Sequence, residues 1–293
     1  MSYLVERAGL EGKVAVVTGG AGGLGWPIAR DLARAGVQVA VCDRDAAAVA
    51  EVEPVLADLP VKTLVRHADV REPEVMETFF GEVDDTFGRL DILVDVPGGG
   101  FVAPLMATTA KGWNAIIRQN FTYVLDTTQR AVRRMEAQGE GGSIIYISSI
   151  EAHRAVPNRA VYGAMKAGIA SLAKTLALEL GQSRIRVNTV APDIFPTPAT
   201  GNFDPAFETT ERGRLKSTTA IPLGRTGTGE DLSGCILFLA SDLAAYVTGT
   251  TLHVDGGTLG SSGWFNWPGS GWGNMLPDDV LASLTGAGDG QGD

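Results

Sequence analysis

Short runs of apolar and β-branched residues alternate along the chain with longer amphipathic stretches, so that a hydrophobic period near two repeatedly gives way to one near 3.6. The short runs predict strands at 13–18, 37–42, 63–67, 92–96, 143–148, 186–190 and 251–254. Between them, helical segments fall near 24–35, 46–59, 74–87, 113–138, 160–180 and 230–240. This is the pattern of repeated βαβ units, which bury parallel strands between helices on both faces. The expected architecture is therefore α/β: a doubly wound parallel sheet of about seven strands in one catalytic domain, residues 1–260. No repeat of fixed period is visible, and no linker divides the series. Two regions break the rhythm. Residues 193–225 are rich in Pro, Thr and charge and too long for an ordinary connection, so a partly helical substrate lid is expected there. Residues 261–293 form a Gly-, Trp- and Pro-rich tail whose end, Gly286-Ala287-Gly288-Asp289-Gly290-Gln291-Gly292-Asp293, is expected to fray.

Composition narrows the partners. At 293 residues the chain is long enough for one large core. A formal charge of −10 and a pI near 4.8 argue against nucleic acid or an anionic membrane as a partner, because both would repel it. Cys42 and Cys235 lie in separate apolar runs and suggest neither a disulfide framework nor a zinc site, which fits a reducing cytoplasm. The first residues lack the apolar core of an export signal, and no apolar stretch reaches the length of a membrane span. Three histidines, His67, His153 and His253, lie far apart in the sequence without carboxylate spacing, so no metal site is expected.

Candidate chemistry begins directly after the first strand, where Thr18-Gly19-Gly20-Ala21-Gly22-Gly23-Leu24-Gly25 opens into a helix. Glycines at such a junction let the backbone approach a pyrophosphate, whose charge is met by amide N–H groups and the positive helix end. A plain turn is the competing reading of any glycine cluster, but its place between strand and helix favours Gly19, Gly23, Leu24 and Gly25 as cofactor contacts. Asp43 follows the second strand, where a carboxylate accepts hydrogen bonds from ribose hydroxyls and repels a 2′-phosphate; NAD is therefore expected over NADP. Arg44 beside it is the residue that would hold that phosphate instead. Asp69-Val70 after the third strand reads either as an adenine contact or, for the aspartate, as an acidic helix cap.

Further along, Tyr162 and Lys166 stand four residues apart in a helical segment, with Ser149 thirteen residues before the tyrosine. Residues at i and i+4 share a helix face about 5–6 Å apart, which brings the ammonium beside the phenol. Attraction of about 4 kcal/mol at roughly 4 Å and a dielectric of about 20 acts toward the phenolate, making the tyrosine a candidate proton carrier near neutrality. Taken singly, the three residues also read as a strand-end cap, a core aromatic and a solvated charge.

With the glycine turn and Ser149, Tyr162 and Lys166 in place, residues 10–257 resemble the short-chain dehydrogenase/reductase family. Also matching are Asn120 in the long fourth helix, Asn188-Thr189-Val190-Ala191-Pro192, and Val254-Asp255-Gly256-Gly257. The resemblance implies a Rossmann-like fold and hydride transfer between a nicotinamide cofactor and an alcohol or ketone. It further implies that Ser149 binds the substrate oxygen, Tyr162 exchanges the proton, Lys166 also holds the nicotinamide ribose, and Asn120 orients a water. Pro192, Ile194 and Thr197 would line the nicotinamide, with Ile194 and Thr197 on its carboxamide, and Gly98 the loop beyond the fourth strand. A homodimer or homotetramer built on the segments 113–138 and 160–180 is implied as well.

Departures from the family pattern are Asp95-Val96-Pro97-Gly98 in place of Asn-Asn-Ala-Gly, Tyr123 in place of a glycine, and Asp193 after Pro192. Proline removes a backbone donor, and Asp95 accepts hydrogen bonds but, when ionised, donates none. Glu151, His153 and Arg154 read either as a solvated loop or as a specificity cluster. Trp264, Phe265, Trp267 and Trp272 are expected to pack on a neighbouring subunit or over the substrate mouth. The expected substrate is a bulky, largely apolar secondary alcohol or ketone, steroid- or terpenoid-like. Alternatives are a 3-oxoacyl-thioester reductase and a catalytically silent partner or sensor subunit.

Overall fold

Residues 3–197 and 209–285 are described by the computed structural model. A short helix α1 (Tyr3–Ala8) precedes a regular alternation: β1 (Val14–Thr18), α2 (Gly25–Arg34), β2 (Gln38–Asp43), α3 (Ala46–Ala57), β3 (Thr63–His67), α4 (Pro73–Phe87) and β4 (Ile92–Asp95). The series continues through α5 (Ala110–Ile117), α6 (Tyr123–Gln138), β5 (Gly142–Ile147), α7 (Ala160–Glu179), β6 (Ile185–Pro192), α8 (Glu211–Ala220), α9 (Gly229–Ala240) and β7 (Thr251–Val254). All seven strands pair in parallel, in the order β3-β2-β1-β4-β5-β6-β7. This is the single α/β unit expected, a Rossmann-like sheet with helices on both faces.

Alternation along β1 sorts its side chains between two cores. Val14 and Val16 join Phe80, Tyr146 and Ile169 on the face covered by α4, α6 and α7, while Ala15 and Val17 join Ile28, Leu32 and Ile236 under α2 and α9. Every β1 residue is buried, as a parallel strand with helices on both sides requires.

Several ends are set by local chemistry. Asp45 caps α3 by accepting from Ala47 N and Ala48 N, Pro73 starts α4, and Gly88 and Gly139 stop α4 and α6 in the left-handed conformation. The helix expected at 113–138 is not one α-helix. It begins at Ala110, capped by Thr109, and passes through a π-helical turn, Arg118–Thr122, before α6.

The expected lid contains α8, capped by Thr210; residues 198–208 of it lie outside the described residues. In the tail, a one-turn α10 (Thr258–Ser261) leads to a hairpin of β8 (Phe265–Trp267) and β9 (Gly271–Gly273), then α11 (Asp278–Thr285). β8 lies against α8, so the tail touches the segment expected to act as a lid, while Trp264, Phe265 and Trp272 stay partly solvent-exposed. The Gly-rich end, 286–293, lies outside the described residues. No described helix is long and apolar enough to cross a membrane.

Candidate active site

β1 and β4 are neighbours, and the chain leaves them toward opposite sides of the sheet, opening a crevice at their carboxyl ends where doubly wound sheets bind ligands. The glycine turn forms one wall. Gly19 has φ +63°, and a Cβ on it would lie 2.9 Å from Pro97 Cγ; one on Gly25 would lie 2.0 Å from Gly19 O. Only glycine allows α2 to start that close to the turn. Gly23, also at positive φ, faces Thr197 across the crevice, with 3.7 Å from its Cβ direction to Thr197 Cβ. Leu24 is the residue before α2 and supplies no side-chain cap. Asp43 closes β2 beneath the turn: Oδ2 accepts from Ala21 N at 3.2 Å and Oδ1 from Asp45 N at 3.0 Å. The glycine positions and the carboxylate together fit the pyrophosphate and ribose of a dinucleotide. Asp69 is spent on Arg71, whose guanidinium and backbone N–H it accepts, which holds its carboxyl below the usual range. The residue capping α4 is Glu72, so the helix-cap reading of Asp69 is not what the structure holds. Val70 beside it is buried.

Ser149 follows β5, and Tyr162 and Lys166 occupy successive turns of α7. The phenol of Tyr162 faces the Ser149 side chain, which pulls its pKa down. Lys166 Nζ donates to Ile147 O at 2.8 Å and sits 5.8 Å from the centre of the Tyr162 ring. The trio is thus brought together, but the expected lysine effect is not dominant. Burial pushes the Tyr162 pKa above its usual value, while Ser149 and the guanidinium of Arg159 pull it down and Glu151 pushes it further up. Burial also pushes Lys166 down to about 8, opposed by the charge of Asp95. Desolvation outweighs the pair attraction because both groups lie largely out of water and the ammonium is committed to a carbonyl.

The π-helical turn explains Asn120. Fully buried, it accepts from Gly99 N at 2.9 Å and donates to Gly99 O at 2.7 Å and Ile116 O at 2.8 Å. Widening the helix by one residue turns this side chain inward to hold the loop after β4. Gly98 in that loop has no room for a side chain: a Cβ would lie 2.7 Å from Lys166 Nζ and 3.1 Å from Asn120 Oδ1.

The departures noted in the sequence compensate one another. Tyr123 donates its hydroxyl to Pro97 O at 2.7 Å, so the aromatic replacing a glycine holds the proline-containing strand end. Asp95 accepts from Thr18 Oγ1 at 2.9 Å and from Thr127 Oγ1 at 2.6 Å, so the missing donor is supplied by its neighbours. Burial raises its pKa to about 7. Asp193 pairs with Arg154 at 3.3 Å, and Arg154 also binds Glu151 at 3.0 Å, which makes this loop an ion-pair cluster rather than a freely solvated one. Ile194 is exposed and, with Phe195 and His253, borders a cleft of about 500 Å³ beyond Pro192. His153 and His253, far apart in sequence, are brought ring to ring at 4.8 Å by the β6–β7 pairing. No group of ligands suited to a metal occurs among the described residues.

Sequence reading missed Arg159, whose guanidinium lies over the Tyr162 ring at 5.5 Å from its centre. The i, i+3 spacing ahead of the tyrosine was the available signal.

Fold and site together define a dinucleotide-binding oxidoreductase. Residues 19–258 match the family model described as enoyl-(acyl carrier protein) reductase. The 3-oxoacyl-[acyl-carrier-protein] reductase of Thermotoga maritima is 35% identical, over 85% of this chain and 99% of its own. The 3beta-hydroxysteroid dehydrogenase 1 of Eggerthella lenta is 36% identical, over 85% and 94% respectively. Among solved structures, a 7 alpha-hydroxysteroid dehydrogenase complexed with NADH and 7-oxo glycochenodeoxycholic acid is 30% identical with a TM-score of 0.79, covering 88% of this chain and 98% of that one. The chain belongs to the short-chain dehydrogenase/reductase family.

Proposed function

We propose that the protein transfers a hydride between NAD(H) and a bulky, largely apolar secondary alcohol or ketone. The observation that carries this reading is the Tyr162 phenol facing Ser149, with Lys166 on the same helix face, at the carboxyl end of β5. When bound, the nicotinamide supplies the carbon that accepts or gives up the hydride. Ser149 and Tyr162 hold the substrate oxygen, and Tyr162 carries its proton. Lys166, cationic in the working site, favours the phenolate and binds the ribose hydroxyls. Asn120 has both amide hydrogens committed and contributes only acceptor capacity to a water beside the lysine. Gly19, Gly23, Leu24 and Gly25 receive the pyrophosphate, Val70 and Gly98 border the adenosine, and Pro192, Ile194 and Thr197 the carboxamide.

Asp43, each of whose oxygens retains a lone pair for a ribose hydroxyl, supports NAD over NADP. The groove next to Tyr162, walled by Phe101, Leu105, Trp113 and Ile116, suits an apolar substrate. Relatives that act on hydroxysteroids support this class. The reading of a 3-oxoacyl-thioester reductase is favoured by the relative in Thermotoga maritima and by Arg44, which is exposed beside Asp43. Asp43 itself and the net charge weigh against it. A homodimer or homotetramer in the cytoplasm completes the proposal. A panel of secondary alcohols and ketones assayed with NAD(H) and NADP(H) at the nicotinamide absorbance tests it: turnover with NAD(H) and apolar substrates is expected, and turnover confined to NADPH and 3-oxoacyl thioesters overturns it.

A further inference from the structure

Arg159 stands out electrostatically. Among the described residues it is the half-buried arginine whose guanidinium has neither a hydrogen bond nor a carboxylate partner; it lies over the Tyr162 ring. Five N–H donors in a partly desolvated position are costly unless met, and stacking on an aromatic face satisfies none of them. The acid that acts on the same phenol, Glu151, is already paired with Arg154 at 3.0 Å. The backbone that carries it is also held in place. Asn158 adopts a left-handed conformation, φ 64°, directly before it, and Asn158 O accepts from Ala103 N at 2.9 Å, clipping the loop after β4 to the start of α7. Across from Arg159 the groove is apolar: Phe101, Leu105, Trp113 and Ile116.

An uncompensated guanidinium on the wall of a largely apolar groove, over the Tyr162 ring, defines a ligand with two parts. We propose that Arg159 is the anion-recognition residue of the substrate site, and that the substrate is an apolar alcohol or ketone bearing a carboxylate. Its planar fork matches a carboxylate in two hydrogen bonds, which an ester or alcohol at the same place does not reproduce. This proposal rests on the reading of the site as one for an alcohol or ketone, and it adds the charge of what enters.

The test uses 9-oxodecanoate and its methyl ester, titrated calorimetrically into the full-length protein saturated with NAD, in the wild type, Arg159→Gln and Arg159→Lys. Charge-assisted pairing implies roughly ten-fold or more tighter binding of the acid than of the ester by the wild type. Arg159→Gln should level the two, and Arg159→Lys should retain part of the preference. Equal affinities for acid and ester in the wild type, or a preference that survives Arg159→Gln, overturn the proposal. A residue that served only to lower the phenol pKa would give that equal binding and shift the pH profile of turnover for both probes alike. Melting curves check that Arg159→Gln is folded, and Arg159→Lys carries the test if it is not. Failure of the two readings is separable: an acid preference lost in Arg159→Gln with no ketone turned over sinks the oxidoreductase reading alone, whereas turnover of neutral ketones with no acid preference sinks the anion site alone.

Discussion

At the scale of single residues, the site is a contest between desolvation and local charge. Tyr162 is held above its usual pKa by burial and by Glu151, against the pull of Ser149 and Arg159. Tyr162→Phe keeps the ring and deletes the proton carrier. Turnover should fall by about 10²–10⁴-fold, the usual contribution of general acid–base catalysis, while NAD affinity by fluorescence titration stays within a few-fold; retained turnover would mean that another group moves the proton. Asp43→Ala should narrow the preference for NAD over NADP and weaken NAD by roughly ten-fold or more, since charge-assisted ribose bonds are each worth about 1.5–3 kcal/mol. An unchanged ratio of kcat/KM for the two cofactors would move the ribose contact elsewhere. Asp95 allows a pH test. Its carboxyl rises from 3.8 to about 7 in the folded chain, so the stability that comes with its protonation is complete below pH 3.8 and is lost as the pH climbs through about 7. Asp95→Asn carries no such charge and should therefore gain on the wild type between pH 4 and pH 8. Urea midpoints compared at the two pH values check this, and a difference independent of pH would show that the carboxyl is not buried as described.

Elements place these residues by a few contacts that tolerate no substitution. α2 meets the glycine turn so closely that a Cβ on Gly25 would lie 2.0 Å from Gly19 O, whereas nothing lies within 4 Å of one on Gly22. Gly25→Ala should cost about 1–3 kcal/mol by overpacking and reduce NAD affinity, and Gly22→Ala should change both far less; melting temperatures and NAD titrations of the pair decide it, with equal effects refuting the close-approach argument. On the other side of the crevice, α5, the π-helical turn and α6 form one interrupted helix. Its irregular turn aims Asn120 at Gly99, and its next residue, Tyr123, ties down Pro97. Hydrophobic periodicity made the helix visible but not the turn, because a one-residue widening leaves the apolar stripe on either side nearly intact.

Across the whole molecule, the tail and the lid meet. The β8–β9 hairpin rests against α8, the described helix of segment 193–225, and Trp267 Nε1 closes the hairpin on Gly273 O at 3.2 Å. The residues proposed for catalysis and cofactor binding all lie upstream of it. Deleting residues 261–293 should therefore raise the substrate KM several-fold through a loosened lid, with NAD affinity largely retained. Equal kinetics for truncated and full-length proteins, together with equal mass by light scattering, would leave the tail as an appendage.

The chain's own pattern determined the order and type of nearly every element, the glycine turn, Asp43 at the end of β2, and the Ser149, Tyr162 and Lys166 trio. Those features are encoded within one element or one strand–helix junction, where period and spacing translate directly into geometry. Only the tertiary structure decided what depends on neighbours remote in sequence. Thr18 and Thr127 satisfy Asp95, Tyr123 holds Pro97, His153 meets His253, and Arg71 occupies Asp69. It also decided the direction of the Tyr162 pKa. Spacing alone expresses the attraction of a charge four residues away, but the opposing loss of water comes from every element packed around the site, and no local stretch of sequence contains it.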